Sequence, residues 1–509
     1  MPNHFFSQNG LSACCTDTSI TLFWDKPAAA GAAETYTVLL DDAVAAHTEK
    51  THCTLEALRP ETAYSLFVQW RSGSIGELTV RTTPTKHRLN VTAAPYFAVG
   101  DGETMNTAAL QKAIDDCGEQ EAVYLPAGIY RTGALRLHSN MEIFLEEGAV
   151  LQGTVIPEDY LPRIPSRFEG IEMECYSSLL NLGTLDHTAG PNCENVILRG
   201  KGTIASGGKL LAERIIASER EQLKEYLDQN AELVSTCENA DTIPGRVRPR
   251  LVNMSNCRNI WMEGLTFANG ASWNLHMIYS DQIVTDHCTI RSDEVWNGDG
   301  WDPDSATNCT LFACEFFTGD DAVAIKSGKN PEGNLINRPT KHIRVFDCHS
   351  GFGHGICIGS EMSGGVEDVK IWDCDMAVST SGLEVKATKK RGGYVRNVEV
   401  RDCTLSHVMV HAVGYNDDGI GAPVPPVLED FRYERVTLLG RYIDHDHVWH
   451  TCPAIELKGF DLPSHEVRNI HFKDVVLEDN RGPEQNILMQ DCLNVSFENV
   501  TVRPGVQPG

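Results

Sequence analysis

Residues 296–327 read WNGDGWDPDSATNCTLFACEFFTGDDAVAIKS. Aspartates fall in two clusters: Asn297-Gly298-Asp299-Gly300-Trp301-Asp302, with Asp304 just beyond, and Gly319-Asp320-Asp321. Between them, residues 307–317 have strand character. Adjacent carboxylates repel when both ionise, so one pKa of such a set rises. Split pKa values let one side-chain type serve as both acid and base. Asp, Asn and Gly in this density also build turns and Ca²⁺ loops. An EF-hand needs alternate acidic positions, a Gly at the sixth and a Glu at the twelfth. The spacing here is different.

Outward from this stretch, a cysteine context recurs. Cys257, Cys288, Cys309, Cys348, Cys374, Cys403 and Cys492 each sit after a polar residue and before a short apolar or β-branched run. The steps include 31 (257→288), 21 (288→309), 26 (348→374) and 29 (374→403) residues. Such a period, with one small side chain per turn, predicts a solenoid of stacked strands. Cysteines on successive coils stack singly, so the ladder is not expected to bind metal.

Upstream, residues 101–115 predict a helix capped at Asn106 or Thr107. Short runs then follow: Ala122-Val123-Tyr124-Leu125, Ala134-Leu135-Arg136-Leu137, Glu142-Ile143-Phe144-Leu145 and Val150-Leu151-Gln152-Gly153. Residues 209–235 carry apolar residues at helical spacing and predict a helical insertion outside the array. Residues 12–83 predict a small β-sandwich of alternating strands, with Thr82-Thr83-Pro84-Thr85-Lys86 as its end. Its Leu58-Arg59-Pro60-Glu61-Thr62-Ala63-Tyr64 segment resembles the tyrosine corner of fibronectin type III domains, and Trp24 resembles their early core tryptophan. The predicted domains are therefore 1–86 and 87–509.

The net charge of −27 argues against nucleic acid and anionic membranes as partners. An acidic ligand needs a local basic pocket on this surface. No apolar run is long enough to span a membrane. The first residues lack a basic and apolar leader, which predicts a cytoplasmic protein. The 17 cysteines lack zinc spacing and read as free thiols in a reducing compartment. The oligomeric state is not readable.

Five motifs in order carry a resemblance to the polygalacturonase or pectinase family, glycoside hydrolase family 28, over about residues 90–505. They are Arg248-Pro249-Arg250-Leu251, Ser272-Trp273-Asn274-Leu275-His276, Asn297-Gly298-Asp299, Gly319-Asp320-Asp321 and Gly353-His354-Gly355. The resemblance is strongest to the bacterial exo-acting branch. It implies an all-β, right-handed parallel β-helix, preceded here by the small sandwich. It implies hydrolysis of pectin-derived oligogalacturonides with release of terminal galacturonate, and no cofactor or metal. Asp320 is then the general acid, Asp299 and Asp321 bind and activate water, and His354 tunes the acid. Inverting glycosidases hold their carboxyls roughly 6.5–9.5 Å apart. Neighbouring rungs about 4.8 Å apart bring that within reach. The loop at 329–339 resembles an exo-branch insertion that closes one end of a groove.

One motif departs. Glu384 stands where the family carries an arginine that grips the substrate carboxylate, and Lys386 is in place. Either Lys386, Lys389, Lys390 or Arg391 takes over, or the sugar there is not galacturonate. Asn297, Lys326 and Tyr415 complete the expected substrate-binding set. The alternatives are a hydrolase of rhamnogalacturonan or substituted galacturonan, a Ca²⁺-dependent pectate lyase, and a non-catalytic carbohydrate-binding protein.

Overall fold

The computed structural model describes residues 4–71, 73–235, 237, 239–480 and 485–505 of the 509. From His87 onward the chain winds through three parallel sheets, two of 13 strands and one of 11. Each coil passes from a back sheet to a side sheet to a floor sheet and returns. In the central coils this path is Thr307–Phe312 (back), Glu315–Thr318 (side) and Val323–Ile325 (floor). This is a parallel β-helix. Alternation sets its faces, because successive side chains point to opposite sides of a strand. In Leu383–Ala387, Leu383, Val385 and Ala387 enter the core while Glu384 and Lys386 point out. One continuous apolar core runs from Val91 to Leu477. Each fully buried aliphatic side chain stabilises it by about 1.5–3 kcal/mol.

The predicted helix forms at Thr107–Asp115 and buries Leu110, Ala113 and Ile114 over the first coil. Asn106 stands at its N-cap without capping by its side chain, which instead bonds the Val99 backbone in both directions (2.7 and 3.0 Å). The predicted short strands appear as Glu121–Leu125, Leu135–Leu137, Met141–Leu145 and Ala149–Gly153. Helices occupy Gly208–Gln222, Lys224–Gln229, Ala231–Ser235 and Thr242–Gly245. Leu211, Ala212 and Ile215 pack against Tyr160, Tyr176 and Val247. No described helix is long and apolar enough to cross a membrane.

The cysteine pattern needs correction. It merges two rows. Cys193 and Cys257 pair at the entry of back-sheet strands. Cys288, Cys314, Cys348, Cys374 and Cys403 stack at the exit, each thiol donating to the carbonyl two residues earlier at 3.1–3.4 Å. The residue before each exit cysteine is left-handed, with φ between 51° and 55° (His287, Ala313, Asp347, Asp373, Asp402). Cys492 falls at the same entry position on the last back-sheet strand, opposite Val467, whereas Cys309 belongs to neither row and lies opposite Ile283. Entry and exit turns both favour a polar residue before a small buried one, so the motif alone does not separate them. The ladder member it passes over, Cys314, follows an alanine.

Residues 5–81 form two four-stranded antiparallel sheets around Leu22, Trp24, Tyr36, Val38, Leu66 and Val68. This sandwich docks on the outer face of the back sheet. Phe23 meets a stack of Phe312, Phe346 and Trp372, with the last two rings 4.3 Å apart. Lys26 is buried between Asp373 and Asp402, both at 2.7 Å. Trp372 Nε1 donates to Thr51 Oγ1 at 2.8 Å. The floor sheet stays clear of it.

Candidate active site

The two aspartate clusters are brought together by register. Trp301 pairs with Val323, and Val323 with Ile356, on successive floor strands. Asp299, Asp321 and His354 each stand two residues before these positions. They therefore share one place on three adjacent coils, at the turn from side sheet to floor. Asp320 lies beside them. The turns are tight. Gly353 has φ 123° and a Cβ there would lie 2.2 Å from Thr318 Oγ1; Gly355 has φ 89° and its Cβ would lie 2.4 Å from the Gly382 carbonyl. Only glycine fits on either side of His354. Asn297 is left-handed (φ 52°), which asparagine tolerates.

His354 Nδ1 lies 3.0 Å from Asp320 Oδ1 and 3.1 Å from Asp321 Oδ1. Lys386 donates to both Asp321 oxygens at 2.8 and 3.0 Å. Lys326 Nζ lies 3.3 Å from Asp299, 3.4 Å from Glu361 and 4.0 Å from Asp302. Asn297 accepts from Arg248 at 2.6 Å and donates to Asp320 Oδ2 at 3.5 Å. The Asp320 side chain is 22% exposed, against 3% for Asp299 and 2% for Asp321. Asp320 is thus the carboxylate of these three that reaches the cleft.

The charges divide the cluster. Burial, then the charge of Asp320, pushes the Asp299 carboxyl up to about 7. Burial and Asp299 drive Asp302 well above the usual range. Burial opposes ionisation of Asp320 and Asp321, but His354 holds the first low and Lys386 holds the second far lower. Burial disfavours a charged His354, yet Asp320 raises it to about 10. The resting site therefore holds an imidazolium between two carboxylates. Asp320, Asp321 and His354 offer ligand atoms within 4.8 Å of one another. Their negative charge is already matched by His354 and Lys386, so a cation would have to displace the protein's own.

The remaining expected residues lie elsewhere. Arg391 is fully buried, and its guanidinium is committed to Asn330 Oδ1 (2.6 Å), the Ser360 carbonyl (3.2 Å) and Asp418 (3.4 Å). The expectation that Arg391 grips substrate is corrected: it anchors loops. Lys326 faces the acids from a buried position rather than the open floor. Glu384 accepts from His411 Nε2 and Tyr415 Oη, both at 2.9 Å, and His411 Nδ1 lies 2.8 Å from Glu456. Burial opposes both ionisations, but His411 holds Glu384 down to about 2 and the Glu384 hydrogen bond raises His411 to about 9. Half of Tyr415 is exposed. Lys389 is exposed as well.

Sequence reasoning assigned no role to Asp302, Glu361, His411, Glu456 or His445. Residues 444–450 read DHDHVWH, a histidine density that is itself a signal. Sequence reasoning also did not foresee a roof. The hairpin Ile164–Phe168/Ile171–Cys175 lies over the floor on the coil of Asp299 and those before it. Arg167, fully buried, donates to Asp304 at 2.8 Å, and Ser166 donates to Asn253 at 2.8 Å. Excursions from both edges of the floor meet there. Arg246 binds Glu169 (2.9 Å), Lys329 binds Asp418 (2.7 Å), and the Lys329 amide donates to the Gly170 carbonyl (3.0 Å).

Fold and site together define a parallel β-helix with a cluster of carboxylates, a histidine and two lysines where the side sheet turns into the floor. Residues 183–417, which hold Asp299, Asp302, Asp320, Asp321, Glu361 and Glu384, match the model of glycosyl hydrolases family 28. A probable polygalacturonase of Vitis vinifera is 33% identical over 323 residues, covering 61% of this chain and 59% of that protein. An exo-poly-alpha-D-galacturonosidase of Dickeya chrysanthemi is 27% identical over 413 residues, covering 76% and 67%. The chain thus spans about three fifths to two thirds of these relatives. Among solved structures, a family 28 exopolygalacturonase of Yersinia enterocolitica aligns over 100% of both chains with a TM-score of 0.76 at 22% identity. A Thermotoga maritima exopolygalacturonase aligns over 82% of this chain and 91% of its own with a TM-score of 0.63 at 25% identity.

Proposed function

We propose that the protein is an inverting, exo-acting hydrolase of pectin-derived oligosaccharides that releases a terminal galacturonate. The roofed floor carries this reading. A groove closed immediately beside the acids admits the end of a chain and not its middle. Asp320 serves as general acid, because it alone of the three assigned carboxylates reaches the cleft. Its proton rests on His354. A sugar covering the pair removes water, which favours the neutral forms of both and moves the proton from Nδ1 to the carboxylate. Asp299 activates the water, since a base poised near 7 both ionises and accepts a proton effectively. Asp321, pinned by Lys386, stays charged and orients that water.

The N-terminal unit, residues 1–86, we read as fibronectin type III-like. The Arg59 amide donates to Tyr64 Oη at 2.9 Å, and Trp24 meets Tyr36 edge-on at 5.3 Å. All seventeen cysteines are free thiols, which supports a reducing compartment.

One observation favours a second reading. Glu384 is held as a buried anion beneath Tyr415 and beside His411, and it disfavours a uronate carboxylate there. A rhamnogalacturonan or substituted galacturonan would place a neutral sugar at that point. Chromatography and mass analysis of products from tri-galacturonate and rhamnogalacturonan oligomers, with EDTA present, decides. Saturated monogalacturonate from the first is expected. Turnover of the second alone would move the substrate, and a Ca²⁺-dependent unsaturated product would make the enzyme a lyase.

A further inference from the structure

Asp302 is wholly buried, and neither of its oxygens accepts from any described donor. Lys326 Nζ stands 4.0 Å from its Oδ1 but nearer to Asp299 (3.3 Å) and Glu361 (3.4 Å), and lies 4.6 Å over the Trp273 ring. The other groups that face Asp302 are Asp321, Arg250 and His276. None of them gives it a hydrogen bond. Arg250 Nε reaches His276 Nδ1 at 3.4 Å, and His276 Nε2 lies 3.3 Å from Asp304.

A buried carboxylate without donors is costly, and the group escapes the cost by keeping its proton. A protonated carboxyl needs one acceptor for its O–H. Asp299 is that acceptor: its side chain hydrogen-bonds Asp302, and its own Oδ1 is buried with no other partner. Burial, then the charge of Asp299, drives Asp302 well above the usual carboxylate range, in keeping with this geometry. The two buried carboxyls thus hold one proton and face one ammonium.

We infer that Asp302 is a positioning residue, a permanently protonated acid whose O–H holds the Asp299 carboxylate ionised and in place for the attacking water. The inference rests on the reading of Asp299 as base. In an inverting turnover Asp320 gives a proton to the leaving oxygen while the water oxygen bonds the anomeric carbon. Asp299 takes the proton that this water loses and afterwards releases it to solvent. Once product has left, the Asp320–His354 pair regains one proton from the cleft. The Asp302 proton stays on Asp302 throughout, so the balance closes without it. A hydrogen bond to the charged form favours that form, so the O–H opposes the rise that burial imposes on Asp299.

The test is the pH profile of kcat/KM for Asp302→Asn and Asp302→Ala, with Asp299→Asn as the control. Asparagine keeps the shape and a donor, and exchanges one neutral group for another. Its activity is expected to climb with pH within about half a unit of wild type. Alanine removes the donor, so its climb is expected about one to two pH units higher, a loss of about tenfold or more at pH 6 and little at pH 9. A climb about one unit or more lower in Asp302→Asn would mean that an anion had been removed, and overturns the protonated acid. So does a wild-type profile in Asp302→Ala, or an equal loss at every pH in both variants, which would make Asp302 a packing residue only. If the alanine variant does not fold, infrared difference spectra decide. A protonated-carboxyl band is expected in wild type at pH 8.5 and lost in Asp302→Asn, and its absence from wild type overturns the inference. An active Asp299→Asn would sink the base assignment, and the inference with it.

Discussion

Asn253, His276 and Asp302 hold one outward register position of the floor sheet; Cys357, Glu384, Met409 and Glu456 hold it further along. The strands are alike and parallel in both halves, yet the environments differ. His276, Asp302 and Asp304 are wholly buried, whereas Glu456 keeps 31% of its side chain exposed. The difference comes from outside the sheet. The Ile164–Phe168 hairpin and the loops at 329 and 418 cover the first half; over the second, Tyr415 covers Glu384 and leaves Glu456 part-exposed. Burial disfavours charge, so in the roofed half His276 falls to about 4 and Asp302 rises, while Asp304, also opposed by burial, is held low by Arg167. The open half keeps matched ions. The acids sit at the seam, where a sugar meets groups of both kinds.

The largest break is expected at the seam. Asp320→Asn and Asp299→Asn each lower kcat on tri-galacturonate by roughly 10²–10⁴-fold. The pH profile of kcat/KM separates their roles. With Asp299 as base and its carboxyl at about 7, activity climbs as pH rises toward 7. It then holds until the Asp320–His354 proton is lost near 10. Activity that instead falls as pH rises through 7 would make Asp299 the donor.

In the roofed half, Arg167→Met leaves the buried Asp304 with His276 and the Gly328 amide but without its guanidinium. The expected loss of unfolding free energy in denaturant titration is about 3–5 kcal/mol. A loss below about 1 kcal/mol would mean that water reaches Asp304 and that the roof is open.

The open half gives the smallest effect, and it depends on pH. His411 rises from 6.5 to about 9, so its contribution is complete below about 6.5 and is lost as pH climbs to about 9. Glu384 falls from 4.5 to about 2, so its contribution is complete above about 4.5 and is lost as pH drops toward 2. His411→Gln should therefore cost on the order of 2 kcal/mol between pH 4.5 and 6.5, and little at pH 9. Thermal melts of both proteins across that range test this, and an unchanging gap would show that His411 acts through packing alone.

Much of this was legible in the chain. Alternating apolar runs closed by Gly, Asn or Asp announced the solenoid, and the acid motifs stood close enough in sequence for one coil turn to align them. Lys386 was found because it follows a motif. Arg391 was misplaced because a Lys-Lys-Arg run looks the same whether it faces water or anchors a loop. His445 was missed because 91 residues separate it from His354.

By itself, then, the sequence determined the repeat, the sandwich before it, and which acids stack. Those are local properties, set by side-chain alternation and by turns that few residues can make. Only the tertiary structure decided which acid is exposed, that one half of the floor is roofed, and that Arg167, His411 and His445 meet Asp304, Glu384 and His354. Each of these depends on groups from distant coils meeting in a low-dielectric space, where a neighbour a few ångströms away outweighs anything adjacent in sequence.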